Sequence, residues 1–74
     1  MTAVQSVERS LHLLREIAEE PGRLVELADR VNLPTSTTAR LLATLETNNA
    51  IERNSDGVYR IGGLIKTMGQ IGRA

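Results

Sequence analysis

The segment 24–45, LVELADRVNLPTSTTARLLATL, leaves this chain few architectures. Its first part places Leu24, Leu27, Ala28 and Val31 at the i, i+3, i+4, i+7 spacing of one buried helix face. Its second part runs from Thr35 to about Asn48 and turns Thr38, Leu41, Leu42 and Leu45 toward the same core. Between them lies the turn Val31-Asn32-Leu33-Pro34. Asn32 is among the few non-glycine residues that tolerate the left-handed conformation needed to leave a helix sharply. Leu33, an apolar residue inside a turn, plugs the angle between the helices. Pro34 cannot continue the first helix and is able to begin the second. Ala28 is small where two crossing helices need close approach. Two helices joined steeply by so short a turn form a helix-turn-helix, whose usual work is to set the second helix in the major groove of DNA. An ordinary corner in a small helical domain has the same pattern, and this segment alone fits both.

At 74 residues the chain is one domain, with a core that supplies only a marginal surplus over chain entropy. Tyr59 is its only aromatic residue, so that core must be built from Leu, Ile, Val and Ala. Cysteine is absent, which excludes a disulfide framework and a thiolate metal site and suits a cytoplasmic home. No run approaches the roughly 18 apolar residues of a membrane span, and the N-terminus lacks a signal-peptide pattern. The formal net charge is zero, which by itself argues against a nucleic-acid partner. The distribution softens this. Residues 1–33 hold four arginines against six acids, and residues 34–74 hold five basic residues against three acids. The second helix of the pair therefore opens the basic half. His12, the only histidine, lies beside the apolar stripe of its segment with no ligand cluster near it in sequence, and reads as a surface residue. There is no nucleophile–base pair, no metal-ligand spacing and no phosphate-cradling glycine loop, so neither an enzyme, a cofactor nor a metal is expected.

Taken in order, the chain opens with residues 1–5, expected to be loose, and Ser6, a candidate helix N-cap with Glu8 in the first turn. A helix to about Glu20 follows, stopped by Pro21-Gly22. Its buried stripe is read as Val7, Leu11, Leu14, Ile17 and Ala18, with Val4 and Leu13 at the margins. Glu19 and Glu20 sit at the end where negative charge is unfavourable. Arg15 reads as solvated, and Arg9 as within reach of a phosphate. Arg23-Leu24 suggests a very short strand, which leaves Val25 where a capping hydroxyl would be wanted. Thr35-Ser36-Thr37-Thr38 opens the next helix. Hydroxyls are tolerable in a first turn, and on DNA they donate to phosphates while threonine methyls pack on thymine. At 100° per residue, Thr35, Ser36, Ala39, Arg40 and Ala43 face away from the leucines. Arg40 is an outward cation placed for a guanine edge or a phosphate, or else an ordinary solvated charge. Thr38 points inward, where an aliphatic residue would pack better. Ile51-Glu52-Arg53 and Val58-Tyr59-Arg60-Ile61 read as two strands about the turn Asn54-Ser55-Asp56-Gly57. Ile51, Tyr59 and Ile61 are read as inward, Arg53 and Arg60 as outward. Such a hairpin either closes the core or, as a wing, lays Arg53 and Arg60 on the backbone or in the minor groove, and both can hold together. After Gly62-Gly63, the residues Leu64, Ile65, Met68 and Ile71 form an apolar helical stripe with no place left on so small a domain.

In order and spacing these residues resemble the N-terminal DNA-binding domain of the isocitrate-lyase-regulator (IclR) family of bacterial transcription factors. The likeness spans about Val4 to Ile71. It rests on VQSVERSL at 4–11, Glu26-Leu27-Ala28, Asn32-Leu33-Pro34-Thr35-Ser36-Thr37, Arg40-Leu41-Leu42-Ala43-Thr44-Leu45, Ile51-Glu52-Arg53, Asp56-Gly57 and Tyr59-Arg60-Ile61-Gly62. It implies a mostly α fold with a small β-hairpin, a winged helix-turn-helix over 1–62, followed by a linker helix over 63–74. The linker would lead to an effector-binding domain outside this chain, through which alone a small-molecule effector would act. It further implies a homodimer on a pseudo-palindromic double-stranded operator. The residues themselves give Thr35, Ser36, Ala39 and Arg40 as the base readers, Thr37 as a further DNA contact, Arg9 as a phosphate contact, and Arg53 and Arg60 as contacts on the backbone or minor groove. Departures from the family pattern are Val25 for a capping hydroxyl, Thr35 for a basic residue, Thr38 for an aliphatic one, and Ala39 and Val58 for polar ones. Three of these weaken the DNA surface, so one domain alone should bind modestly. The competing expectation is a winged-helix protein-interaction or dimerisation module that docks through Leu64 to Ile71, favoured by the neutral net charge and by the depleted wing.

Overall fold

The computed structural model describes the backbone of residues 3–71 and the side-chain surroundings of residues 5–68. Three helices come first: α1 (Ala3–Glu19), α2 (Leu24–Val31) and α3 (Thr35–Thr47). Strands β1 (Ile51–Arg53) and β2 (Tyr59–Ile61) form an antiparallel hairpin, and α4 (Gly63–Ile71) leaves it. Helix α1 begins three residues before the expected Ser6 cap, because Ala3, Val4 and Gln5 continue the helix backward without a breaker. Residues 1 and 2, also expected to be loose, fall outside the described residues, as do 72–74 of the expected linker.

The core is a single apolar cluster. Leu13 and Ile17 from α1, Leu27 and Val31 from α2, Leu42 from α3 and Ile51 from β1 are buried together. Leu14, Leu24, Leu33, Leu41, Leu45, Tyr59 and Ile61 pack around them. This corrects the expected register of α1. Leu13, read as marginal, is at the centre, whereas Val7 is 58% exposed, Leu11 is 48% exposed and Ala18 is exposed. Helix α1 carries two neighbouring apolar stripes, 13/17 and 7/11/18. Only the first meets Leu27 and Leu42, and Leu14 lies between the two.

The helix-turn-helix forms as expected. Asn32 adopts φ 56°, and the Asn32 and Leu33 amides donate to Asp29 and Ala28 carbonyls at 3.2 and 3.1 Å. Leu33 then drops half-buried into the angle between α2 and α3. Pro34 is the residue before α3 rather than its first residue. Helix α2 is capped at Arg23, not at the Val25 position: the Glu26 carboxylate accepts the Arg23 amide at 2.9 Å. The short strand expected at Arg23-Leu24 is a one-residue bridge at Gly22. Its amide donates to the Tyr59 carbonyl at 3.3 Å, and the Tyr59 amide donates to its carbonyl at 2.8 Å.

Two polar features, one half-exposed and one buried, find their partners. Arg30 reaches across ten residues to donate to the Glu20 carbonyl at 2.6 Å, and its guanidinium lies 3.5 Å from the Glu20 carboxylate. A cation from α2 thus supplies the positive charge that the acid-rich end of α1 lacks. Thr38 is fully buried, and its hydroxyl donates to the Pro34 carbonyl at 3.0 Å. That carbonyl also accepts the Thr38 amide at 3.0 Å, so the hydroxyl bond is redundant. Thr38→Val keeps the shape, removes a buried hydroxyl and leaves no orphaned group. Urea unfolding should show a gain of about 0.5–1 kcal/mol, with DNA binding unchanged because the side chain faces inward.

Candidate nucleic-acid interface

The polar side of α3 is defined by what its other side buries. Thr38 and Leu42 are buried, and Leu41 and Leu45 pack on the core. Ser36, Arg40, Ala43 and Thr47 are exposed on the opposite side, and Thr35 is exposed at the helix start. Thr37 and Ala39 are half-buried, so of the five α3 residues expected on DNA, Thr35, Ser36 and Arg40 are the exposed ones. Downstream threonines turn back on their own helix. The Thr44 and Thr47 hydroxyls donate to the Arg40 and Ala43 carbonyls at 3.1 and 2.9 Å. Arg40 is thus the one cation on α3, one turn in from its N-terminus, where the helix end favours a phosphate.

Along its α1 side, α3 borders an open apolar groove. Thr37, Arg40, Leu41, Thr44 and Leu45 line one wall, and Ser6, Val7, Ser10, Leu11 and Leu14 line the other. Thr37 and Arg40 therefore stand where the polar face of α3 meets an apolar trough. A second trough, lined by Leu11, Leu14, Ala18, Ile61 and Ile65 with Arg15 at its side, continues the apolar band toward α4. Arg9 is half-buried on α1 and already engaged with another group.

The hairpin places its arginines differently from the expectation. The register pairs Ile51 with Ile61, Glu52 with Arg60 and Arg53 with Tyr59. Side chains alternate along a strand, so Arg53 shares the face of Ile51, Tyr59 and Ile61, while Arg60 lies opposite with Glu52. The Arg53 guanidinium sits 5.8 Å from the centre of the Tyr59 ring, a cation–π contact at the outer end of the inward face. Arg53 and Arg60 are both exposed, but they do not form one basic edge.

The tip between the strands is internally braced. The Asn54 side-chain oxygen accepts the Asp56 and Val58 amides, each at 2.9 Å, and Gly57 takes φ 81°. A contact that sequence reasoning missed ties this tip to the helix pair: Arg23 Nε donates to the Asp56 carbonyl at 3.1 Å. Its local half was legible, since Glu26 three residues on is the acid of a helix cap. The partner 33 residues away was not.

His12 is exposed, 3.7 Å from Glu16 one turn on. No helix among the described residues is long and apolar enough to cross a membrane.

The family model of the IclR helix-turn-helix domain matches residues 6–55 of this fold. The chain belongs to the IclR family. It is 44% identical over 62 residues to the transcriptional repressor IclR of Escherichia coli K12, and 46% identical over 62 residues to the acetate operon repressor of Salmonella typhimurium LT2. Each match takes in 80% of this chain and 23% of the relative, so the chain spans about a quarter of the length of these IclR-family repressors. The crystal structure of HmgR from Pseudomonas aeruginosa superposes at a TM-score of 0.84, with 26% identity, over 90% of this chain and 29% of that one. With its helix-turn-helix and hairpin, the chain has the architecture of an IclR-type winged helix.

Proposed function

We propose that this domain reads one half of a pseudo-palindromic operator in the cytoplasm, working as half of a homodimer. The observation that carries this is the division of α3: Ser36 and Arg40 are exposed while Thr38 and Leu42 hold the core. Arg40 is the base-reading or phosphate cation, Thr35 and Ser36 donate to phosphates at the helix start, and Thr37 and Ala39 add methyl contacts at the edge of the surface. Arg60 is the wing's contact with the duplex. Arg53, held over Tyr59, contributes at the wing's outer end, and Arg9 lies at the margin of the footprint. The relatives' roles as repressors support a repressor, and their greater length leaves room for a further domain joined through residues 63–74, on which a small-molecule effector would act.

Dimerisation is supported by the stripe of α1 that the core does not use. Val7 and Leu11 border a trough that runs on toward Ile61 and Ile65, and Met68 on α4 is 55% exposed. The competing reading, a protein-interaction module without DNA, rests on the same apolar band. The two are separated by a gel-shift titration of the 74-residue chain at several salt concentrations, against a site selected from a random DNA pool and against its isolated half. Reading helices one DNA turn apart, about 34 Å, predict much tighter binding to the full site and a log–log salt dependence that steepens with the number of phosphates contacted. Leu11→Glu should remove the full-site advantage without unfolding the domain, because Leu11 lies outside the core. Equal binding to every sequence, or salt-independent binding, would leave only the interaction module.

A further inference from the structure

The segment between α1 and α2 is fastened more heavily than a connection of its length requires. Arg30 from α2 closes over Glu20, and the guanidinium end of Arg30 also covers Gly22, where an added Cβ would lie 3.1 Å from Arg30 Nη2. Gly22 is held to Tyr59 by two backbone hydrogen bonds, and the next residue, Arg23, reaches the wing tip. The wing tip is already rigid within itself, through the three amides at Asp56, Gly57 and Val58 that Asn54 accepts. What its own bonds leave open is its angle to the helix pair. Beyond the Tyr59–Gly22 bridge, β2 runs back toward a tip whose tie to the body is the Arg23 bond at the Asp56 carbonyl.

We propose that Arg23 is a positioning residue for the wing: by holding the Asp56 carbonyl at the start of α2, it fixes the distance between the wing tip and the recognition helix, and so sets how well both engage one duplex together. This rests on the DNA-reading role proposed above. The side chain has no part in capping α2, since the Glu26 carboxylate takes the Arg23 backbone amide. Its removal should therefore loosen the wing without loosening the helix.

The test uses Arg23→Ala, Arg23→Lys and Arg40→Ala in the 74-residue chain. Hydrogen exchange of the free protein and affinity for a site selected from a random DNA pool are both measured. Arg23→Ala should speed exchange at the Asp56–Val58 amides several-fold while amides of α2 and the core hold their rates. Affinity should fall roughly three- to ten-fold, the scale of the net worth of one ordinary hydrogen bond, as fits a solvent-exposed one. Arg23→Lys, whose ammonium can still reach a carbonyl, should restore much of both. Unchanged exchange at the wing tip overturns the proposal. So does an affinity loss in Arg23→Ala with unchanged exchange and a salt slope lower by about one, which marks a direct phosphate contact. If Arg40→Ala also leaves affinity untouched, the DNA-reading role fails, and the exchange data still judge the clamp by themselves.

Discussion

Gly62→Ala is expected to remove about 3 kcal/mol or more of stability, most of what a domain this small possesses. The reason is backbone meeting backbone. A Cβ at residue 62 would lie 2.7 Å from the Asn49 carbonyl oxygen and 2.9 Å from the Ile51 carbonyl carbon. Neither can retreat cheaply. Asn49 is held at φ 62° by the end of α3, and its carbonyl accepts the Leu64 amide at 3.0 Å. Gly62 itself donates to the Ala50 carbonyl at 2.9 Å, so separating the segments would break the hydrogen bonds that join β1, β2 and the start of α4. The neighbouring Gly63→Ala provides the contrast. Nothing lies within 4 Å of a Cβ there, and residue 63 is the first of α4, so alanine should gain about 0.5–1 kcal/mol through helix propensity. Urea unfolding of the two variants should move in opposite directions. A Gly62→Ala midpoint equal to wild type would mean that the strands do not close on each other in this way.

Arg40→Ala is expected to weaken binding to a selected DNA site by roughly 1–3 kcal/mol while changing stability by no more than about 0.5 kcal/mol. The split follows from the site. Arg40 is exposed on the side of α3 opposite Leu42, so truncating it opens no cavity. If Arg40 reads a guanine, the loss is confined to one base position and Arg40→Lys recovers little, because the planar fork is gone. If it holds a phosphate, the loss is uniform across sequences, the salt slope falls by about one, and Lys recovers most of it. Titrations against the selected site and its single-base variants, at three salt concentrations, distinguish these outcomes. Full retention of affinity would remove α3 from the DNA surface and favour the interaction module.

The parts of the fold that were legible in the sequence are those fixed by near neighbours. The Asn32–Pro34 turn, the Asn54–Gly57 tip and the start of α3 each depend on residues within four or five positions, and turn chemistry reads them directly. The start of α2, capped at Arg23 and not at the Val25 position, was not read this way. The register of α1 was not legible in the same way. Two apolar stripes lie side by side on that helix, and periodicity alone does not say which one meets Leu27 and Leu42. The burial of 13/17 rather than 7/11 is decided by distant partners. Arg30 at the end of α1 and Arg23 at the wing tip are likewise long-range contacts, 10 and 33 residues apart. The hairpin arginines are a different case. Arg53 stands two residues from the inward Ile51, so strand alternation alone assigns it to the inner face, and Arg60, one residue from Tyr59, to the outer. For the site, exposure of Arg40 and Ser36 followed from helical spacing. The half-burial of Thr37 and Ala39 did not, because it depends on how closely α1 and α2 approach α3.

The single phenol of this chain stands at the seam where the wing meets the body, hydrogen-bonded through its backbone to Gly22 and covered by the Arg53 guanidinium. With no tryptophan or phenylalanine in the sequence, ultraviolet emission arises from that ring alone. The protein thus carries a built-in optical gauge: once the light absorbed by the duplex itself is corrected for, a remaining change in its brightness on adding DNA reports an altered setting of the wing without any attached dye.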